Sequence, residues 1–324
     1  MKETSITYLP ETDYRKLMEN IVEPYLKKYR KWGWYTGYDG ARLFYFAYVK
    51  ENAKGNIVIS HGFTEFAEKY NEIVYYFLQA GYSVFMPEHR GHGRSEREIK
   101  NLEKIHVKSF EQYVWDFHVF VNKIVKPHHR DNYLFAHSMG GAIGALYLEK
   151  YPDDFKKAVL STPMIQMRIG KIPYHTAMRI ASICKLCGFG KAYAAGQRGF
   201  EGRDRFEKSC CLSKERYLYA EQMRLGCRMY QTNGADYDWV CAAAKAAKYV
   251  QNKKNIKKIG IPVLVFAAGK DHMVDNGKIC KFTGKLRNAK LVWVHNAKHE
   301  IVNAMQQERE QFFKEIFEFL YPRV

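Results

Sequence analysis

The segment Tyr133-Leu-Phe-Ala-His-Ser-Met-Gly-Gly-Ala142 decides the fold of this chain. An apolar stretch at 132–136, typical of a buried strand, ends at a His-Ser-Met-Gly turn, and a helix of small residues is predicted at once over Met139–Lys150. A serine at such a strand-to-helix turn projects its hydroxyl above the edge of a sheet. The segment therefore predicts that Ser138 is a nucleophile.

Small residues flank this serine, and they are needed because strand and helix must approach each other closely at the turn. Gly140 lies two positions after Ser138, and Ala136 lies two positions before it. The usual pattern is Gly-x-Ser-x-Gly, so Ala136 departs from it by one methyl group. The following helix would direct its positive N-terminus at an oxyanion that develops on the substrate.

An alternation of strands and helices surrounds this segment. Strands alternating with helices of this length predict βαβ units, and hence an α/β fold with a mostly parallel sheet flanked by helices. A charged helical lead-in is predicted over 1–31, followed by two short strands around 38–48 joined at Asp39-Gly40. Further strands are predicted at 56–60, 82–86, 157–161, 261–268 and 291–294, and further helices at 70–80, 110–125 and 301–320.

The alternation breaks over residues 164–258, which are basic, rich in cysteine and helical in character, with no clear strand. This stretch holds 19 Lys and Arg against 7 Asp and Glu, a net charge of +12 out of +18 for the 324 residues. We therefore predict a helical cap at 164–258 that is inserted into an α/β core formed by residues 1–163 and 259–324.

A serine nucleophile needs a histidine base, which a carboxylate orients, and on this kind of sheet the acid follows the serine and precedes the histidine in the chain. Asp271 follows the predicted strand at 261–268 and is the preferred acid. Its rival Asp275 stands where a helix begins and suits an N-cap. His299 lies further into the loop after the last strand and is preferred to His295, which lies nearly on that strand.

The tetrahedral intermediate of an ester also needs two backbone N–H donors for its oxyanion. The first is the amide of Met139, directly after the nucleophile. The second is expected in the loop after the strand at 56–60, where His61-Gly62-Phe63 follows. Gly62 permits a sharp turn there, and the amide of Phe63 is the predicted donor.

The seven cysteines are an odd number, and six of them lie between Cys184 and Cys241. Cys184-Lys-Leu-Cys187 has the spacing of a metal site, but no second pair with ligand spacing follows it, so reduced structural thiols are the preferred interpretation. No metal and no cofactor is expected. Residues 1–31 show no apolar signal region, and no long apolar run occurs, so a cytoplasmic protein is expected.

Several segments together resemble the monoglyceride lipase and lysophospholipase group of α/β-hydrolases. The resemblance implies an α/β-hydrolase fold, a catalytic triad of Ser138, Asp271 and His299, and amide donors at Phe63 and Met139. It also implies a lid at the position of the cap, and it gives Glu65 and Tyr70 a role in holding the oxyanion loop, together with His61 and Gly62. The segments are 60–70, 88–95, 136–141, 269–271 and 296–300.

The resemblance implies a serine hydrolase of lipid-like esters, such as a lysophospholipase or a monoacylglycerol lipase. The apolar residues of the cap suit an acyl chain, and its positive charge suits phosphate head groups or peripheral contact with an anionic membrane. A general carboxylesterase or thioesterase is the alternative within enzymes, and a non-catalytic lipid-binding protein is the alternative outside them. The cap carries no nucleic-acid-binding signature, so no nucleic acid is expected as a partner. The oligomeric state stays open.

Overall fold

A twisted sheet forms the centre of the protein. The computed structural model describes residues 6–170, 172–202 and 205–321. The strands of this part of the chain are β1 (Arg30–Thr36), β2 (Arg42–Tyr48), β3 (Asn56–Ser60), β4 (Ser83–Pro87), β5 (Lys104–Ile105), β6 (Asn132–His137), β7 (Lys157–Ser161), β8 (Gly234–Ala235), β9 (Val263–Ala268) and β10 (Ala289–Val294). Eight of these strands form the main sheet in the order β1-β2-β4-β3-β6-β7-β9-β10.

Most neighbours in this sheet run parallel, which confirms the predicted fold class. The pairs β1·β2 and β2·β4 are antiparallel, and β4·β3, β3·β6, β6·β7, β7·β9 and β9·β10 are parallel. The carboxyl ends of the parallel strands meet at one edge of the sheet, and loops that follow those strands are the usual place for a site in such a fold.

Helices cover both faces of the sheet. They are α1 (Tyr14–Leu17), α2 (Glu23–Lys27), α3 (Asn71–Gln79), α4 (Glu111–Phe120), α5 (Met139–Lys150), α6 (Tyr174–Cys184), α7 (Lys214–Gly226), α8 (Tyr237–Val250), α9 (Lys253–Ile256), α10 (Asn276–Thr283) and α11 (Gln306–Leu320). Short π-helical turns connect or extend some of them at Met18–Val22, Val121–Val125 and Lys185–Phe189.

The central strands are buried on both faces because each face packs against helices. In β3, Val58 belongs to the apolar cluster that contains Phe117 of α4, whereas Ile57 and Ile59 belong to the opposite cluster with Phe312 of α11. Side chains alternate between the two faces of a strand, so a strand with a helix layer on each side reads as a continuous apolar run. Helices α6 to α9 lie between β7 and β9 in the chain, within the stretch predicted as a cap.

The structure corrects two details of the predicted organisation. β1 begins at Arg30, inside the stretch assigned to the helical lead-in, and Asp39-Gly40 lies in the turn between β1 and β2. The cap contains the two-residue strand β8, which pairs with β5 of the core, although no strand was predicted there. Two residues are too few to show the alternation of a strand, so no local sequence pattern predicts β8.

The last helix also begins later than predicted. α11 starts at Gln306 rather than at Ile301, because a 3-10 turn over Ile301–Asn303 and an extended Met305 come first. This short turn belongs to the loop that carries His299. Helix termini are the least certain part of any prediction from sequence.

Candidate active site

Ser138 occupies the strained turn between β6 and α5. Its backbone angles are φ 53° and ψ −117°, a region that a residue with a side chain enters only when its surroundings hold it there. Gly140 makes the turn possible, because a Cβ atom there would lie 2.0 Å from the carbonyl oxygen of Ser60. The methyl of Ala136 is accommodated beside Gly144, where an added Cβ would lie 3.2 Å from it. The departure from the usual pattern is therefore absorbed within the adjoining helix.

The structure brings together the three side chains that are distant in sequence. Nε2 of His299 lies 2.7 Å from Oγ of Ser138, and Nδ1 of His299 lies 2.7 Å from Oδ2 of Asp271. All three residues are buried. This is the geometry in which a serine hydroxyl can pass its proton to an imidazole that a carboxylate orients.

Asp271 is held as a charged acceptor. Its Oδ1 accepts the N–H groups of Met273 at 2.8 Å and of Val274 at 3.1 Å, which leaves Oδ2 for the imidazole. Burial on its own would raise the pKa of Asp271, but the hydrogen bond and charge of His299 and the two amides outweigh it and lower the pKa below its usual value.

The two rival residues lie outside this arrangement. Asp275 caps helix α10, where its side chain accepts the N–H of Lys278, as an N-cap residue does. His295 stacks on Trp293 at the exposed end of β10, with ring centroids 5.8 Å apart. Neither residue is hydrogen-bonded to Ser138 or His299 within the described chain.

The loop after β3 contains Phe63, whose amide is the second predicted donor. Glu65 holds this loop from behind, since its Oε2 accepts the N–H of Gly62 at 2.6 Å and the hydroxyl of Tyr70 at 2.6 Å. A Cβ atom at Gly62 would lie 2.7 Å from that same oxygen. The amide of Met139, the other predicted donor, is the first of α5 and so has no partner within the helix.

His61 is a structural imidazole of the same loop. Its Nδ1–H donates to the carbonyl of Gly62 at 2.8 Å, and its Nε2 accepts the N–H of His89 at 2.9 Å. Burial lowers the pKa of His61 to about 4, so the ring is neutral at pH 7. A neutral ring can use one nitrogen as a donor and the other as an acceptor, as this loop requires.

Two residues that the sequence did not reveal fix the loops of the acid and the base. The hydroxyl of Thr162 donates to the carbonyl of His299 at 3.0 Å, and the guanidinium of Arg168 donates to the carbonyl of Asp271 at 3.2 Å. Both residues follow β7, so the loop that leads into the cap also supports the site. No sequence motif marks them, since each acts on a backbone atom.

One grouping of possible metal ligands occurs in the described chain, and it is not at the cysteines. His106 of the core lies beside Asp236 and Asp238 at the start of α8. Asp236 accepts the N–H of Trp239 as the cap of α8, and Asp238 pairs with Lys185 at 2.6 Å. Nδ1 of His106 lies 2.5 Å from Oδ2 of Asp236, and this contact joins the core to the start of α8. Both carboxylates are thus engaged by partners within the protein. All seven cysteines are free thiols.

A known family of serine hydrolases matches most of this chain. The model of the family described as serine aminopeptidase, S33, matches residues 51–306, which is most of the chain and includes Ser138, Asp271 and His299. The chain belongs to this S33 family of serine hydrolases. Its sheet and helices have the α/β-hydrolase fold, as the sequence predicted.

Several proteins that are similar to this chain are named as lysophospholipases or monoacylglycerol lipases. A probable lysophospholipase L2 of Haemophilus influenzae is 29% identical over 265 residues, which cover 82% of this chain and 83% of that protein. Lysophospholipase L2 of Escherichia coli K12 is 28% identical over 249 residues, which cover 75% and 71%. The crystal structure of a Paleococcus ferrophilus monoacylglycerol lipase superposes with a TM-score of 0.68 at 19% identity, over 86% of this chain and 98% of that one.

These similarities confirm the resemblance to the monoglyceride lipase and lysophospholipase group that the sequence motifs carried. Over residues 6–170, 172–202 and 205–321, no helix is both long enough and apolar enough to cross a bilayer.

Proposed function

We propose that this protein hydrolyses carboxylic esters through an acyl-enzyme on Ser138. His299 takes the proton of Ser138 Oγ as that oxygen attacks the ester carbonyl, and Asp271 orients the ring and stabilises the imidazolium. The amides of Phe63 and Met139 donate to the oxyanion. His299 then returns the proton to the departing alcohol, and water hydrolyses the acyl-enzyme. The continuous chain of contacts from Ser138 Oγ through His299 to Asp271, with both distances at 2.7 Å, is the observation that carries this proposal.

The substrate that we propose is an ester with one acyl chain, and a lysophospholipid is preferred to a monoacylglycerol. The likeness to two proteins named lysophospholipase L2 covers three quarters or more of this chain. The cap 164–258, which we propose as the unit that selects the substrate, has a net charge of +12. Positive charge favours a substrate with a phosphate group over one without it.

We further propose that the cap meets an anionic membrane surface through helix α6 and the π-helical turn after it. Four large apolar side chains here are strongly exposed: 44% for Ile180, 60% for Ile183, 86% for Leu186 and 60% for Phe189. Such side chains gain free energy when they enter the acyl boundary of a bilayer, and nearby basic residues add attraction to anionic lipid. The substrate of a lysophospholipase resides in that boundary.

A panel of esters tests the reaction and the substrate class together. Lysophosphatidylcholine, a monoacylglycerol with the same acyl chain, a short nitrophenyl ester and an amino-acid anilide are incubated with the wild type and with Ser138→Ala. We expect hydrolysis of both lipids, fastest for the lysophospholipid, and a loss on the order of 10⁶-fold in the variant. A fluorophosphonate probe should label the wild type alone.

Each contrary result has a distinct meaning. Hydrolysis of the short ester without either lipid would favour a general carboxylesterase, and cleavage of the anilide alone would favour a peptidase. Lipid binding without turnover or labelling would favour a non-catalytic lipid-binding protein. Undiminished turnover by a folded Ser138→Ala variant would overturn the mechanism.

A further inference from the structure

A buried ion cluster lies behind the oxyanion loop, and the proposed reaction does not use it. Nζ of Lys69 lies 2.7 Å from Oε1 of Glu65 and 2.8 Å from Oε1 of Glu300. The exposed fractions of these side chains are 16%, 7% and 12% in the same order. Burial alone would lower the pKa of Lys69, but Glu300 and Glu65 outweigh it and raise that pKa well above its usual value. The ammonium therefore stays charged between two carboxylates.

The Glu65 end of the cluster reaches the oxyanion loop. Oε2 of Glu65 accepts the N–H of Gly62, and the next amide along the chain is that of Phe63. Lys69 occupies the other oxygen, Oε1, so the direction of the carboxylate depends on both partners. Glu65 therefore anchors the His61–Gly62 peptide, which directly precedes the peptide that carries the Phe63 N–H.

The Glu300 end of the cluster reaches both the catalytic base and the cap. Glu300 follows His299 directly, and its N–H donates to the carbonyl of Cys210 at 3.1 Å. Its Oε2 accepts the thiol of Cys211 at 3.1 Å and the side-chain amide of Asn303 at 2.6 Å. The cap is fastened to the same turn once more, because the N–H groups of Leu212 and Ser213 both donate to the carbonyl of Asn303.

We infer that Lys69 and Glu300 are positioning residues that join the cap segment Cys210–Ser213 to the oxyanion loop, so that the seating of the cap sets the position of the Phe63 amide. The inference rests on the proposed function, and it adds a connection between substrate selection and catalysis. Neither residue touches the reacting atoms. Their effect passes through Glu65 and through the loop of His299.

Charge predicts how the cluster responds to substitution. Lys69→Met leaves two carboxylates close together in a buried place, where like charges repel strongly. Lys69→Arg keeps the charge and the two contacts within reach. The double variant Lys69→Met/Glu300→Gln removes the repulsion but does not restore the bridge. Its kcat should therefore lie between that of Lys69→Met and that of the wild type.

The first experiment compares kcat and KM of these variants with the short nitrophenyl ester of the panel, per folded molecule. We expect Lys69→Met to lower kcat by about 100-fold, as loss of an oxyanion donor does, with KM changed much less. Lys69→Arg should recover most of this loss, and the double variant should recover part of it. Lys126→Met, which breaks a pair with Asp154 (2.6 Å) outside the site, is the matched control. A Lys69→Met variant with a lowered Tm and an unchanged kcat would overturn the inference.

The second experiment does not depend on activity. Hydrogen exchange is measured for the amides of residues 62–65 in Cys211→Ala and in Cys241→Ala, a second buried cap cysteine that lies in α8. We expect faster exchange at the oxyanion loop in Cys211→Ala only. Equal exchange in both variants would refute the connection, whether or not the wild type hydrolyses esters. If no ester is hydrolysed but exchange responds as expected, the proposed function fails and the connection stands.

Discussion

The sheet edge that carries Ser138 is buried and tightly hydrogen-bonded, whereas helix α6 is largely exposed. At the sheet edge, each functional side chain follows a strand or begins a helix, is buried, and has its loop fixed by hydrogen bonds to backbone atoms. Helix α6 buries only Ala177 and Ala181, and its Ile180 and Ile183 are exposed. Rigid placement suits a reaction that tolerates little misalignment, and an exposed apolar face suits contact with a surface.

Within the predicted cap 164–258, helices α7 and α6 differ in the same way. Arg216 of α7 is almost wholly buried, and it pairs with Glu72 of α3 at 2.8 Å and with Glu11 at 2.7 Å. Its guanidinium also donates to the carbonyl of Leu9, which accepts from Arg309 of α11 as well. Helix α7 is thus fixed to the core by charge, whereas α6 is not fixed in this way by any ion pair of its own residues within the described chain.

The largest effect after loss of the nucleophile is expected at Asp271. Asp271→Asn keeps the shape of the side chain but favours the wrong tautomer of His299, so kcat should fall by about 10⁴-fold. Steady-state kinetics measure the loss, and Asp275→Asn is the control, since Asp275 caps α10 away from the imidazole. A larger loss in Asp275→Asn than in Asp271→Asn would exchange the roles of the two residues.

A smaller effect, on stability, is expected at Arg216. Arg216→Met leaves Glu72 and Glu11 with one partner fewer in a buried network, and we expect the free energy of unfolding to fall by about 3–5 kcal/mol. Urea denaturation measures the change. Arg228→Met, an exposed cap residue, should have little effect. Equal stability of the two variants would show that charge does not hold α7 on the core.

The smallest effect is expected at the exposed π-helical turn Lys185–Phe189, which follows α6. Leu186→Ser removes a large apolar side chain from the surface that we propose to meet the membrane, and affinity for anionic vesicles should fall about tenfold, the equivalent of about 1.4 kcal/mol. Vesicle sedimentation measures the affinity, with Ile21→Ser outside the cap as the control. Vesicle binding that Leu186→Ser leaves unchanged would place the contact elsewhere or remove it.

Much of the core was predictable because its signals are local. The segment around Ser138 combines an apolar strand, a strained turn and a helix of small residues, and α5 has the predicted bounds Met139–Lys150. β7 likewise spans Lys157–Ser161 as predicted. The choice between Asp271 and Asp275 also had a local basis, since an aspartate before a helix is a common N-cap.

The remaining features had no such signal. Strand β8 is two residues long, Thr162 and Arg168 act on carbonyl groups of distant loops, and Lys69 bridges two glutamates 235 positions apart in the chain. A lysine and two glutamates are frequent at any surface, so nothing in their spacing separates a buried cluster from a solvated face.

The sequence alone determined the class of the sheet, the position of the nucleophile and the candidates for acid and base, because period, turn residues and strand order are properties of short segments and of their sequence. Only the tertiary structure showed that His299 lies against Ser138 and Asp271 against His299, how the segment 164–258 is fastened to the core, and which apolar residues stay exposed. These depend on where distant segments come to lie, and burial in turn decides whether a charge is paired or solvated.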